Sequence, residues 1–369
     1  MKFVCSKSNL LTGVQTVAKA VPSKTTMSIL ECILIEADNG NIILTANDME
    51  LGIETIIKGD VLVSGKIALD AKIFLEIVRK LPDNDITIET DDNNKTTITC
   101  EKAKFNIIGK SGDDFSCLPV VEKRDPLVIS QYTLKESIRQ TIFSISDNEN
   151  NKLMTGELFE INNDELKVVS LDGHRISIRK IRLKNSYPFK KVVVPGKTLN
   201  EISKILSGDM DKDVLIYFSD KHIIFEFDNT TVVSRLIEGE YFKIDQMLSN
   251  DYETKVRINK KELLSCIDRA TLLVKEGDKK PIIINITDAG MELKINSAVG
   301  SMNEEIDIAK QGKDLMIGFN PKFLIDALKV IEDEEIDIYL VNPKAPCFIR
   351  DEEGKYVYLI LPVNFTTVS

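Results

Sequence analysis

The chain has no tryptophan and only two histidines, His174 and His222, in 369 residues. Its six cysteines (Cys5, Cys32, Cys100, Cys117, Cys266 and Cys347) form no C-x-x-C pair, and neither histidine is near one in sequence. That spacing argues against a zinc site, so no metal ligands and no cofactor are expected, and the thiols read as small apolar residues. No apolar run approaches the roughly 18 residues of a membrane span, and none at the N-terminus resembles a secretion signal. No membrane association is expected, and the cytoplasm is the expected compartment. Net positive charge is also lacking: the balance is −10. An acidic chain repels phosphate, so nucleic-acid binding requires that its positive charge be segregated.

What is present is a repeat. A hydrophobic content of 43% with 29% charged residues is that of a soluble globular protein, and the length calls for two or three domains. Helical periodicity is found at Ser8–Val21, Ala71–Leu81, Thr133–Ile145, Lys197–Leu206, Lys261–Val274 and Lys322–Ile331. Strand-like runs fill the intervals, among them Gly52–Val63, Gly156–Ile161, Glu165–Ser170, Arg175–Leu183 and Tyr356–Leu361, joined by turn signals such as Asp38-Asn39-Gly40. The second helix of each pass opens at Asp70-Ala71-Lys72, Pro195-Gly196-Lys197 and Asn320-Pro321-Lys322, so the starts at 70, 195 and 320 are 125 apart both times. Phe74, Leu199 and Leu324 then coincide, as do Leu81, Leu206 and Ile331. The first helices align at Leu10, Leu134 and Leu263. Such a period is a domain duplication rather than a solenoid. Short turns between strands imply antiparallel sheet with two helices on one face, an α+β domain in three tandem copies. The expected boundaries are 1–123, 126–248 and 254–369.

Charge follows element type in this reading. The six predicted helices with their flanks sum to +9, leaving −19 for the rest of the chain. Helices are expected to be basic, and sheets and loops acidic. No aromatic cluster accompanies the helical charge, so base stacking is not indicated.

Two motifs invite catalytic readings. Gly196-Lys197-Thr198 looks like the end of a phosphate loop, but the glycine required five residues earlier is Lys191. A helix start after Pro195 is the plainer reading. Leu171-Asp172-Gly173-His174-Arg175-Ile176-Ser177 gathers Asp, His and Arg at a tight turn. General acid–base work by Asp172 and His174 would need a partner nucleophile or metal, and no partner motif accompanies them. The alternative is a turn between strands. The C-terminal run Tyr356–Val363 is a strand ended by Pro362, either a plain edge or the lining of a groove.

Three tandem units of this length, the central Leu-Asp-Gly-His-Arg, the Val-Pro-Gly-Lys-Thr-Leu-Asn-Glu segment from Val194, Asp114-Phe115-Ser116-Cys117-Leu118-Pro119 and the Leu-Pro-Val near the end together resemble the bacterial sliding-clamp family, the beta subunits of DNA polymerase III. The resemblance covers the whole chain. It implies the DNA-clamp domain fold and a head-to-tail homodimer ring encircling double-stranded DNA without sequence preference. The function implied is non-catalytic: a processivity factor for the replicative polymerase alpha subunit, with the clamp loader, repair polymerases and other clamp-motif proteins as further partners. By position it implies a partner-peptide pocket of Met154, Leu171, Gly173, His174, Arg175, Ile176, Phe242, Met247, Asn320, Phe323, Leu361, Pro362 and Val363. It also implies DNA-facing Lys24, Lys72, Lys152 and Lys197, and a dimer contact of Leu272 and Leu273 with Phe105 and Ile107 of the other protomer. The chain departs from the family at Phe242, where proline is frequent, at Asn364, where a basic residue is frequent, and at Asn151-Lys152, where the usual pair is Arg-Pro.

Overall fold

The computed structural model describes residues 1–38, 40–274 and 280–365. Asn39 of the expected hairpin turn and the last four residues lie outside the described residues. Two compact units emerge: Met1–Lys135 with Asn200–Leu236, and Glu136–Leu199 with Ile237–Ser369. The middle repeat contributes to both.

Six α-helices are found among the described residues: α1 (Lys7–Val17), α2 (Ala71–Lys80), α3 (Gln131–Arg139), α4 (Gly196–Ile205), α5 (Lys260–Thr271) and α6 (Pro321–Val330). The second helix of each repeat therefore begins at 71, 196 and 321, the same interval of 125 as in the sequence, and each has ten residues. The aligned positions Leu10, Leu134, Leu263, Phe74, Leu199 and Leu324 are all buried, as are Leu81, Leu206 and Ile331 just past the helix ends.

Five of these helices follow directly on a strand and α6 follows after one residue, and a side chain at the junction often caps the helix. Ser6 accepts from Asn9 N, Asp70 from Ile73 N, Ser130 from Thr133 N and Asn259 from Glu262 N. Such caps satisfy orphan donors of the first turn. The strands Lys2–Ser6, Gly65–Asp70, Leu127–Ser130, Thr254–Asn259 and Leu315–Phe319 were not expected from the sequence, because each is short and runs straight into helical periodicity.

Three further expectations are corrected. The helix expected over 133–145 stops at Arg139, and Ile142–Ser144 is a 3₁₀ turn. Tertiary polar contacts hold that turn: Tyr358 Oη donates to Gln140 O at 3.1 Å, and Ser144 Oγ lies 2.5 Å from Ser177 Oγ. The expected strand 52–63 is two, Leu51–Ile57 and Asp60–Val63. The three runs expected within 156–183 are two long strands, Gly156–Leu171 and Arg175–Pro195, with a register irregularity around Asn163.

In the first unit a five-stranded antiparallel sheet ends on the edge strand Ala103–Ile108, and a nine-stranded sheet contains the pairing of Leu51–Ile57 with Thr230–Arg235. In the second unit a seven-stranded sheet contains the pairing of Arg175–Pro195 with Tyr356–Ile360, and a four-stranded sheet ends on the edge strand Gly300–Ile306. The two internal pairings are equivalent. Leu51 faces Ser234 in one and Ile176 faces Leu359 in the other, each residue 125 further along (51 to 176, 234 to 359). One joint is thus built twice within the chain. By strand order in the repeats, Ala103–Ile108 corresponds to Thr230–Arg235 and Gly300–Ile306 to the start of Arg175–Pro195, and both are edge strands among the described residues.

Candidate functional site

The turn at Asp172–His174 joins the two long strands of the second unit. Gly173 has φ +90°, a left-handed conformation that glycine adopts without strain. Asp172 closes the turn: its Oδ1 accepts from His174 N at 2.9 Å and Arg175 N at 3.1 Å. Its Oδ2 accepts from Arg175 Nε at 3.0 Å. The carboxylate serves the turn and the guanidinium rather than the imidazole, which removes the pairing an acid–base reading needs. Among the described residues no cluster of His, Cys, Asp and Glu could hold a metal.

Arg175 is buried and anchored from three elements. Nη1 donates to Asp326 Oδ2 of α6 at 2.7 Å, Nη2 donates to the carbonyl of Phe143, and the guanidinium lies over the rings of Phe323 (4.5 Å) and Phe143 (5.3 Å). Planar stacking with several fixed donors suits arginine and not lysine. The exposed His174 ring stacks on Phe323 with centroids 6.0 Å apart and 21° between planes.

The chain end is stitched into the same place. Leu361 N donates to His174 O at 2.9 Å and Val363 N to Gly318 O at 2.8 Å. Leu361 is exposed while Pro362 and Val363 are half-buried. Below them, alternation along the strands sends Tyr358 and Ile360 to one sheet face and Leu359 to the other. The second face carries Leu171, Ile176, Ile178 and Leu359, against which Met154 and Phe242 pack half-buried.

The expected pocket residues therefore fall into distinct places. Leu171 and Ile176 are buried in the apolar sheet face, Arg175 is a buried brace, and Gly173 shapes the turn. His174, Met247 and Leu361 are exposed, with Phe323 half-buried against the ring of His174. Asn320 caps α6, its Oδ1 accepting from Lys322 N at 3.0 Å. Phe143 and Asp326 were missed from the sequence, since both act through Arg175 from remote positions.

Elsewhere Lys24, Lys72, Lys152 and Lys197 are all exposed, Lys72 on α2 and Lys197 on α4. Phe105 is 40% exposed on the edge strand Ala103–Ile108, and Leu272 is 82% exposed at the end of α5. Leu273 lies beside the other open edge, its Cδ2 3.8 Å from where a Cβ on Gly300 would stand. Gly196 is present for packing: a Cβ there would meet Ile145 Cδ1 at 2.3 Å and Thr155 O at 2.8 Å.

The expectation of basic helices and acidic sheets holds only in part. Arg175–Pro195, a sheet strand, carries seven basic residues and no acid. Its charge is offset in the total by the acids of the neighbouring strand Gly156–Leu171.

Models of the DNA polymerase III beta subunit match the chain in three parts: the N-terminal domain at 1–119, the central domain at 128–243 and the C-terminal domain at 245–364. The chain belongs to the DNA polymerase III beta subunit family. It is 33% identical to the beta sliding clamp of Staphylococcus aureus over 375 residues, covering 99% of each chain. Its fold is similar to a DNA polymerase III beta subunit of Eubacterium rectale, at 74% identity and TM-score 0.96, over 99% of this chain and 100% of the other. The sliding clamp of Bacillus subtilis is similar at 35% identity and TM-score 0.95, with the same coverage. Three clamp domains in one chain, and a non-catalytic role as a processivity clamp, follow from this membership. The two internal joints are where successive clamp domains share a sheet.

Proposed function

We propose that two copies of this clamp close head to tail into a ring around duplex DNA, and that the site at Asp172–His174 docks the apolar peptides of its partners. The observation that carries the ring is the repeated joint. A chain with one half of that joint open at each end can satisfy both halves with a second copy, and head-to-tail contacts that close make rings. Phe105 and Ile107 on one edge, with Leu272 and Leu273 beside the other, supply apolar surface for the contact. The domains span 1–123, 126–248 and 254–369.

Within the ring, Lys24, Lys72, Lys152 and Lys197 face the DNA. Weak phosphate contacts bridged by water hold the duplex without fixing a register, which permits sliding. Tethering keeps a polymerase at high effective concentration near the primer end. The docking pocket has Leu171 and Ile176 as floor, Met154, Phe242 and Met247 along one side, and Asn320, Phe323 and Leu361–Val363 along the other. Its partners are the replicative polymerase alpha subunit, the clamp loader, repair polymerases and other proteins with apolar clamp motifs, met in the cytoplasm.

Sedimentation tests the closure. The chain is expected to sediment as a dimer at micromolar concentration, and Phe105→Asp with Leu272→Asp as a folded monomer. A monomeric native chain, or a double variant that remains dimeric, would contradict the assignment.

A further inference from the structure

Beside Phe242 the second unit holds a cavity of about 240 Å³ whose apolar wall is Leu158, Phe242 and Ile244. The rest of its lining is polar or charged. Lys167, with a side chain only 11% exposed, lies 2.9 Å from Asp245 Oδ1 and 3.8 Å from Glu160 Oε1. Lys191 reaches the same glutamate, 3.5 Å from its Oε2. Lys243 also lines the cavity.

This wall continues the docking floor. Leu171 pairs with Ile176, Val169 with Ile178 and Lys167 with Lys180, so strand alternation places the two lysines on the face that carries the floor. Arg182 and Lys184 extend the same face, and both are exposed. The basic strand therefore leads from the turn to the cavity.

Asp245 differs from the other acid. Glu160 is largely enclosed, whereas Asp245 is 82% exposed on the 3₁₀ turn Ile244–Gln246, two residues before Met247. Its carboxyl is held below the usual range first by the hydrogen bond from Lys167, with Lys191 and Lys180 adding to the effect. Lys167 thus pairs with Asp245 directly while Lys191 and Lys180 act on it at longer range, and this exposed carboxylate is the one acid of the lining open to solvent.

We propose that this cavity is an acidic-residue subsite of the docking pocket: a partner peptide seated on the apolar floor places an Asp or Glu carboxylate between Lys167 and Lys191 in exchange for Asp245. The exchange conserves charge and keeps the nearly buried Lys167 paired, so it avoids the cost of an unpaired buried charge. It rests on the docking reading above and adds a selection rule to it: partners with an acidic flank are preferred.

Three peptides test this on the full-length protein by fluorescence titration at low salt. Two share the core Leu-Leu-Phe and carry either two Glu or two Gln on each side; the third has the Glu flanks and a Ser-Ser-Ser core. The Glu-flanked core is expected to bind the native protein about fivefold tighter than its Gln counterpart, the worth of one charge-assisted contact. In Lys180→Gln/Lys191→Gln, both exposed positions, the two should bind within about twofold of each other. Asp245→Asn should tighten the Glu-flanked peptide and leave the Gln-flanked one unchanged. Equal binding of the two cores to the native protein overturns the subsite and leaves the docking pocket standing. Failure of both cores to bind overturns the docking reading, and the subsite with it. A single-stranded oligonucleotide that binds these lysines while peptide preference stays flat would also overturn the proposal, assigning the basic face to nucleic acid.

Discussion

Arg175 Nη1 donates to Asp326 Oδ2 at 2.7 Å, joining the first residue after the Asp172–His174 turn to the middle of α6. The pair links the second repeat to the third within one compact unit. It fixes Phe323, which the same guanidinium covers, and through Phe323 the ring of His174. Arg175→Lys is therefore not conservative here. It should lower stability by roughly 2–4 kcal/mol, because Asp326 and the Phe143 carbonyl lose fixed partners in a buried setting. Denaturant unfolding followed beside peptide titration would check this, with both stability and affinity falling.

His174→Ala separates the two effects. The ring is exposed and its partner Phe323 keeps the Arg175 stack, so the melting temperature should change little. Peptide affinity should fall by about 1–2 kcal/mol if the ring is a docking contact. Unchanged affinity would remove His174 from the pocket, while a measurable turnover lost with it would revive the acid–base reading.

Glu157 predicts a pH dependence. It is fully buried, and burial pushes its pKa from the ordinary 4.5 up to about 8, against a smaller opposing effect of the Thr141 hydroxyl. Between those values the folded chain holds a proton that the unfolded chain releases. This contribution to stability is full below about pH 4.5 and is lost as pH rises towards 8. Glu157→Gln stays neutral throughout. Relative to the native chain its stability should gain roughly 4 kcal/mol between pH 4.5 and pH 8, since each pH unit between the two pKa values is worth about 1.4 kcal/mol. Thermal melts across that range would show it, and a pH-independent difference would contradict it.

Gly196→Ala tests whether the glycine of the Gly-Lys-Thr segment serves packing or phosphate. A methyl group there would clash with Ile145 and with the Thr155 carbonyl. A loss of about 1–3 kcal/mol is expected, without any nucleotide affinity to lose. Nucleotide binding by the native chain at micromolar concentration would contradict the packing role.

The repeat was legible because duplication preserves spacing: buried leucines and helix starts kept the interval of 125. The short strands before each helix were not, since four to six residues show little alternation before helical periodicity takes over. The turn at Asp172–His174 was visible as Asp-Gly, yet the burial of Arg175 was not. Its anchors Phe143 and Asp326 lie 32 and 151 residues away, and no local pattern joins them. The basic strand was printed in the sequence but masked by grouping charge according to helix and sheet. Only register showed that Lys167 and Lys180 share a face with the apolar floor.

The central claim is topological, so the decisive measurement is retention on DNA of different topology. Clamp assembled on a nicked circular duplex should remain bound in about 0.5 M salt, where ordinary phosphate contacts are weakened. It should be lost when a restriction enzyme linearises the circle, and lost less when the linear ends are blocked. Equal retention on circular and linear DNA, or release from the circle by salt alone, would contradict the account.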